Sequence, residues 1–531
     1  MATLEPGTPP PGLARTLGFG QVTASGVGII IGAGIYVLLG AATAEAGSGV
    51  WIAFLVAGVL SALTALSYAE LASMYPSAGA EYEYTRRVAP EWAAFVVGWV
   101  MILGLVIAAA AVSLGFASYL RYFFDVPQRL GAWLLLGVVT VIALAGIEQS
   151  ARLTVALSTV QVAGLLSIVA IGVPHIGDES LTGGVSTAGV VSAAALVFFA
   201  FVGFDEVITL AEETTAPART VPRALLAALG ISTALYVAVA IAGISVLGPT
   251  ALAASEQPLA DVMGAAIGSR SADVVAVVAM LATTNTTLLA ITASSRLQYG
   301  MADTGALAPV LARTSGRRAP WVAVLLSAVV AAGFVSLGDL SLVASVRDFS
   351  VYLVFVAVNV TVILLRFWQP KRRRPFAIRG TVGKVPVAPV LALATIAVLV
   401  PSLEPTAVLL GTAVATSGVA VYAVQRHLRP ANTPAERPQG DPMRPRTDIT
   451  RAEAADVADV LRIDFAAVEY DLDQFHRGMR VELQHGAGDP DTNITNDDLV
   501  TTGKIALAHL NEIPDYYTRL AAMEAEARNE G

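Results

Sequence analysis

The chain has 531 residues, of which 55% are hydrophobic and only 14% charged, with a mean hydropathy of +0.67. A soluble globular domain carries about 25% charged residues, so this composition excludes one and marks an integral membrane protein. The formal charge of −8 falls largely in the C-terminal tail, and the lack of cysteine excludes disulfides, thiolate metal sites and cysteine nucleophiles.

The opening residues, MATLEPGTPPPGLART, lack the basic start and short apolar core of a cleaved signal. Beyond them, apolar runs of about 18 to 25 residues recur, the length that a hydrocarbon core about 30 Å thick requires. The runs are continuous and show no two-residue alternation, so they read as helices rather than barrel strands. About twelve spans are expected. They lie near residues 21–44, 50–74, 92–119, 130–147, 153–174, 188–211, 223–247, 272–299, 320–337, 348–367, 386–402 and 404–424.

The first of these, TASGVGIIIGAGIYVLLG, carries Gly26, Gly28, Gly32 and Gly34. Each glycine weakens a helix by about 1 kcal/mol relative to alanine, so the span is expected to break. Irregular backbone is tolerated at membrane depth only where it is buried in protein or lines a cavity, which makes a broken span a candidate binding site. A second break is expected in the sixth span, VFFAFVGFDEVITLAEE, where Gly203 sits beside Asp205 and Glu206. Charges at that depth cost at least about 2.5 kcal/mol each, a cost usually accepted for function. Broken helices five spans apart suit an inverted repeat of spans one to five and six to ten.

With the N-terminus inside, Lys and Arg concentrate in the inner loops, including Arg86, Arg152, Arg317, Arg318 and Lys371–Arg374, while the outer loops keep Arg121, Arg129, Arg270 and Arg347. This bias places both termini in the cytoplasm of a multi-pass protein of the cytoplasmic membrane. Glu70, at the inner end of the second span, reads as a solvated helix end or as a partner of Arg86 or Arg152 in an inner gate. Asn285, deep in the eighth span, reads as a bridge between helices.

Residues 1–428 therefore read as the membrane domain and residues 429–448 as a Pro-rich linker. Residues 449–531 read as a small cytosolic domain of two or three amphipathic helices. The tail's GMRVELQHG and LAHLNEIPDYYTRL resemble a small prokaryotic domain without assigned function. No HExxH, GxSxG with a triad, or Walker motif is present, so no catalytic residue is expected. The five histidines form no metal-ligand cluster in sequence, and neither a metal nor a cofactor is expected.

The strings GVGIIIGAGIYVLLG, YAELASMYPSAGAEYEY, FFAFVGFDEVITLAEETTAPARTVPRAL, SSRLQYGMADTGALAP and VNVTVILLRFWQPKRRRPF occur in order along residues 15 to about 425. They resemble successive signatures of the amino acid, polyamine and organocation transporter superfamily, most of all its cationic amino acid transporter branch and prokaryotic relatives. The resemblance implies an all-α, leucine-transporter-like fold with a five-plus-five inverted repeat, discontinuous first and sixth helices, and two added helices. It further implies that Ile31, Gly32, Ala33, Gly34 and Ile35 hold the carboxylate of an amino acid substrate. Phe199, Ala200 and Val202 would take its amine, with Gly203 also in the substrate site, and Phe201 and Phe204 are candidates for the gate or side-chain pocket. Helix dipoles agree, since N-terminal ends are partly positive and C-terminal ends partly negative.

Cationic-substrate relatives carry an acidic residue in the third span, where this chain has Gly104 and Leu105. A buried cationic side chain without a partner is costly, so neutral L-amino acids are the expected substrates. Some proton-coupled relatives place a lysine in the fifth span where Gln161 stands, and Gln does not titrate. Coupling could then run through protonation of Asp205 or Glu206, through sodium at Thr286 or Thr287, or not at all, and the proton is the favoured ion. The expected function is a secondary active amino acid permease in the lipid bilayer, with no nucleic-acid partner. An exchanger, or a transporter-like sensor regulated through the tail, is the alternative. The sequence sets no oligomeric state.

Overall fold

The computed structural model describes residues 17–75, 80–145, 151–303, 305–314, 319–370, 372–428, 448–461, 463–465, 467–485, 495 and 498–529. Nearly all of the linker call, 429–447, lies outside them, as do Arg317, Arg318, Lys371 and the side chain of Arg152.

The chain opens on α1, Phe19–Ile30, and α2, Gly34–Ala46, separated by a non-helical Ile31–Ala33. Next come α3, Val50–Met74, the short α4, Ala80–Arg86, and α5, Glu91–Phe123. They are followed by α6, Gln128–Leu144, α7, Ala151–Gly172, and α8, Thr187–Val197. Beyond α8 the chain tightens to a 3₁₀ turn at Phe198–Phe201, turns at Val202 and Gly203, and continues as 3₁₀ helix over Phe204–Glu213. The remaining helices of this unit are α9, Pro217–Ala254, α10, Pro258–Ile267, α11, Ser269–Asp303, α12, Trp321–Val335, α13, Leu340–Trp368, α14, Val387–Leu399, and α15, Pro405–Leu428.

Among the described residues, eight helical stretches are long and apolar enough to cross a membrane, and shorter apolar helices include α1, α6, α10 and α12. The chain is thus a predominantly helical, multi-pass membrane protein. Helix α10 follows from Pro258 at its first position, where a missing N–H costs nothing. Helix α9 bends at Gly248, whose φ of 74° precedes Pro249. Helix α13 begins eight residues earlier than expected, at Leu340 rather than 348, and this draws Arg347 out of its expected outer loop and into the helix.

Packing divides these helices into two sets. In one, α3 lies along α9, α1 and α2 lie against α9, and α8 lies against α2 and α3. In the other, α5 packs along α11 and both meet α6 and α12. Helix α5 buries a run of small residues, Ala108–Ala111, in keeping with membrane helices that associate through backbone proximity. Polar side chains add cross-ties: Ser294 donates to the Ile102 carbonyl at 3.2 Å, and Gln298 donates to Ser327 at 2.7 Å. Asn359 of α13 accepts from Ser67 of α3 at 2.7 Å.

The second compact unit contains residues 428–531 with 368–372. Its helices are α16, Arg451–Val460, α17, Leu472–Glu482, α18, Leu499–Glu512, and α19, Tyr516–Asn529, one more than the sequence suggests. They enclose a core of their own around Phe475, Met479, Ala506, Leu510 and Tyr517. Thr450 and Glu453 form a capping box that starts α16, while Asp471 and Asp498 cap α17 and α18.

Candidate functional site

The two breaks face each other. Helix α1 ends when the Ile31 N–H closes the last turn on the Val27 carbonyl at 2.8 Å, and Gly32 then bonds back only two residues, to Ile30. Helix α2 restarts at Gly34, with Tyr36 and Val37 bonded to the Ala33 carbonyl. The N–H groups of Ala33, Gly34 and Ile35 are left without a backbone acceptor among the described residues. Such a first turn carries partial positive charge.

Across from it, α8 and its 3₁₀ extension end at Phe201, so their last carbonyls point toward the second break. Gly203 makes the turn with φ of 118°, a conformation that side chains disfavour, and its N–H donates to the Asp205 carboxylate at 3.1 Å. The closest approach is at Gly34, where an added Cβ would lie 2.5 Å from the Ala200 Cα. Tyr236 of α9 ties the pair, its hydroxyl lying 2.9 Å from the Ile30 carbonyl and 3.0 Å from that of Ala200. Tyr36 donates to the Gln161 carbonyl and Tyr119 to that of Tyr36, both at 2.7 Å, fixing α2 against α7 and α5.

A cavity opens between the breaks. Of the residues singled out from sequence, Gly32, Ala33 and Gly34 line it from the first break, and Phe199, Ala200, Val202 and Gly203 from the second. Leu105, Gln161, Glu206 and Thr286 complete the expected set on its wall, and Asn285 joins them. The others lie elsewhere. Ile31 and Ile35 are fully buried in the core. Gly104 stands behind the wall, against the stem of Arg347. Thr287 is buried and donates to the Thr283 carbonyl at 2.8 Å. Asp205 is buried behind the Gly203 turn.

Phe201 and Phe204 are likewise off the cavity wall. Phe201 packs edge-on to Tyr236 with ring centroids 5.2 Å apart, and Phe204 packs on Phe355 at 5.3 Å and Tyr68 at 5.7 Å. The turn at Val202 and Gly203 separates the two rings, so that Phe201 packs between Phe54 of α3 and Tyr236 of α9 while Phe204 packs between Tyr68 of α3 and Phe355 of α13.

Sequence reasoning missed Arg347. It is 5% exposed, lines the cavity, and its Nε and Nη1 make no hydrogen bond among the described residues. The expectation of a looped outer arginine is therefore corrected: the apolar turns of α13 on both sides of Arg347 and Asp348 bury the pair. The signal was the Arg-Asp pair inside LVASVRDFSVYLVF, which an apolar-run criterion takes for a boundary.

Glu70 requires a second correction. It is 1% exposed rather than solvated. Its carboxylate accepts from Arg366 at 2.6 Å, from Arg374 at 3.1 Å and from the Ile378 N–H at 2.8 Å, so it joins α3 to the end of α13 and the segment beyond.

Comparison with known proteins places these features in context. Residues 17–423 match the family model described as amino acid permease, and residues 454–526 match a protein family of unknown function, DUF5661. The chain is 32% identical over 407 residues to the branched-chain amino acid permease BcaP of Bacillus subtilis, covering 72% of this chain and 86% of that one. It is 29% identical over 402 residues to the methylthioribose transporter of the same organism, covering 71% and 86%. It is also 29% identical over 388 residues to the vacuolar cationic amino acid transporter 4 of Arabidopsis thaliana, covering 67% and 64%.

Proposed function

The chain belongs to the amino acid permease family, and on that footing we propose that it moves neutral L-amino acids across the cytoplasmic membrane by alternating access, coupled to protons. The observation that carries this reading is the pair of facing backbone ends. Free N–H groups at Ala33, Gly34 and Ile35 suit a carboxylate, and the carbonyl end at Phe199 and Ala200 suits an ammonium. Backbone alone then orients what all amino acids share, and the side chain is left to Leu105, Val202 and the other apolar parts of the wall.

Twelve spans with both termini in the cytoplasm, a five-plus-five repeat, and a tail domain after a Pro-rich linker complete the proposal. The name of the permease BcaP, a branched-chain carrier, supports an apolar substrate. Glu206 is the favoured proton carrier because it faces the cavity, and Asp205 lies next to it behind the Gly203 turn. A sodium role for Thr286 competes with this reading.

Counterflow in proteoliposomes holding the full chain, screened over the standard L-amino acids with and without sodium and a pH gradient, tests both parts. The expected result is saturable exchange of alanine, valine or leucine, accumulation driven by an inward proton gradient, and no requirement for sodium. Arginine or lysine preferred over these, or sodium-dependent flux indifferent to pH, would contradict it.

A further inference from the structure

We infer that Arg347 is an internal cation that closes this cavity to amino acids with cationic side chains. The inference rests on the reading of the cavity as an amino acid site, and it assigns the selectivity of that site to one residue.

Arg347 is the cation on the cavity wall among the described residues, and it shares that wall with Glu206. The acidic side chains in its neighbourhood are Asp348, Asp205 and Glu206, with the Tyr68 hydroxyl beside them. Asp348 and Tyr68 are fully buried, and Asp205 nearly so. No ion pair joins the guanidinium to any of these carboxylates among the described residues, and its Nε and Nη1 are unbonded. The positive charge is therefore balanced through space rather than by contact. Coulomb energies in such a low-dielectric setting act over several ångströms, so one cation can offset several carboxylates it does not touch.

Two consequences follow for a substrate. A side-chain ammonium or guanidinium brought into this cavity, in addition to the α-ammonium held at the second break, meets a like charge that cannot leave, and charge juxtaposition of this kind discriminates between ligands. Without Arg347 that like charge is gone from a wall that Glu206 also lines, and a cationic side chain is no longer opposed there.

The room for Arg347 comes from Gly104. A Cβ built there lies 3.9 Å from the Arg347 Cδ and 4.0 Å from its Nε, so the arginine stem lies against the bare backbone of α5. A methyl group fits that distance, and a longer side chain at this position would lie alongside the arginine stem. The missing side chain on α5 and the arginine on α13 thus form one device.

The test uses the full chain in proteoliposomes and compares uptake of L-alanine, L-lysine and L-arginine. The wild type should carry alanine and reject the two cations. R347M should gain lysine uptake relative to alanine by about tenfold or more, and R347K, which keeps the charge, should continue to reject lysine. G104E supplies an independent check, because its new carboxylate would be neutralised by Arg347. Lysine should stay excluded in G104E and be admitted in the double variant G104E/R347M.

An R347M protein that carries alanine and gains no lysine overturns the inference, as does lysine uptake by G104E alone. Should R347M carry nothing, the G104E result decides. A wild type that carries no amino acid would instead refute the parent reading, so the two failures are distinguishable.

Discussion

Gly34→Ala should abolish transport while leaving the protein folded. The added methyl would lie 2.5 Å from the Ala200 Cα, 2.8 Å from its Cβ and 3.2 Å from its N, and these are backbone positions that cannot rotate away. The two breaks must separate to admit it. Overpacking of this kind typically costs about 1–3 kcal/mol. The functional cost is larger, since displacing a binding constellation by about 1 Å can reduce turnover about 100-fold.

The same substitution at Gly32 meets only the Thr286 hydroxyl at 3.2 Å, a side chain free to turn, and should reduce uptake by less than about tenfold. At Gly137 nothing lies within 4 Å. There alanine should be neutral, or stabilising by up to about 1 kcal/mol, as expected inside a helix. Initial uptake rates and melting temperatures in detergent check the series. Wild-type transport by Gly34→Ala would mean that the breaks do not work against each other.

Glu70→Ala should be the most damaging change to stability outside the cavity. Glu70, Arg366 and Arg374 have side chains only 2%, 15% and 9% exposed, and the carboxylate accepts from both arginines as well as from the Ile378 N–H. Removing the one carboxylate that accepts from both arginines breaks a buried ion-pair cluster, at a cost of about 3–5 kcal/mol. Glu70→Gln keeps the shape and some hydrogen bonding but loses the charge, so it should fall between the two. The expected readouts are a lowered melting temperature and faster trypsin cleavage among Arg366, Arg372, Arg373 and Arg379. Unchanged cleavage and melting would show that the cluster does not hold this segment.

Both breaks were legible in the sequence because their causes are local. Four glycines in one apolar run, and a glycine beside two acids in another, conflict with a continuous helix wherever the chain folds. Which residues of each break face the cavity was only partly legible. Gly32, Ala33 and Gly34 do, whereas Ile31 and Ile35 turn into the core, because the restart of α2 sets a rotation that sequence spacing does not give.

The partners of Glu70 were hidden for a different reason. They lie 296 and 304 positions away in the chain, and nothing near Glu70 distinguishes a paired carboxylate from a solvated one. Arg347 was hidden by the rule that finds spans. A charge ends an apolar run on paper, and only the continuation of α13 through Arg347 and Asp348 shows the pair to be inside. The expectation of neutral substrates came from what is missing at position 104. The structure adds what fills that space, the arginine stem from α13.

The central claim is that the two broken helices recognise the charged ends of an amino acid through backbone. Competition against L-alanine uptake by L-alanine methyl ester, which lacks the carboxylate, and by propionate, which lacks the ammonium, tests it most directly. Each lost charge-assisted contact is worth about 1.5–3 kcal/mol, so both analogues should compete at least about tenfold more weakly than L-alanine itself. Either analogue competing as well as L-alanine would contradict the account.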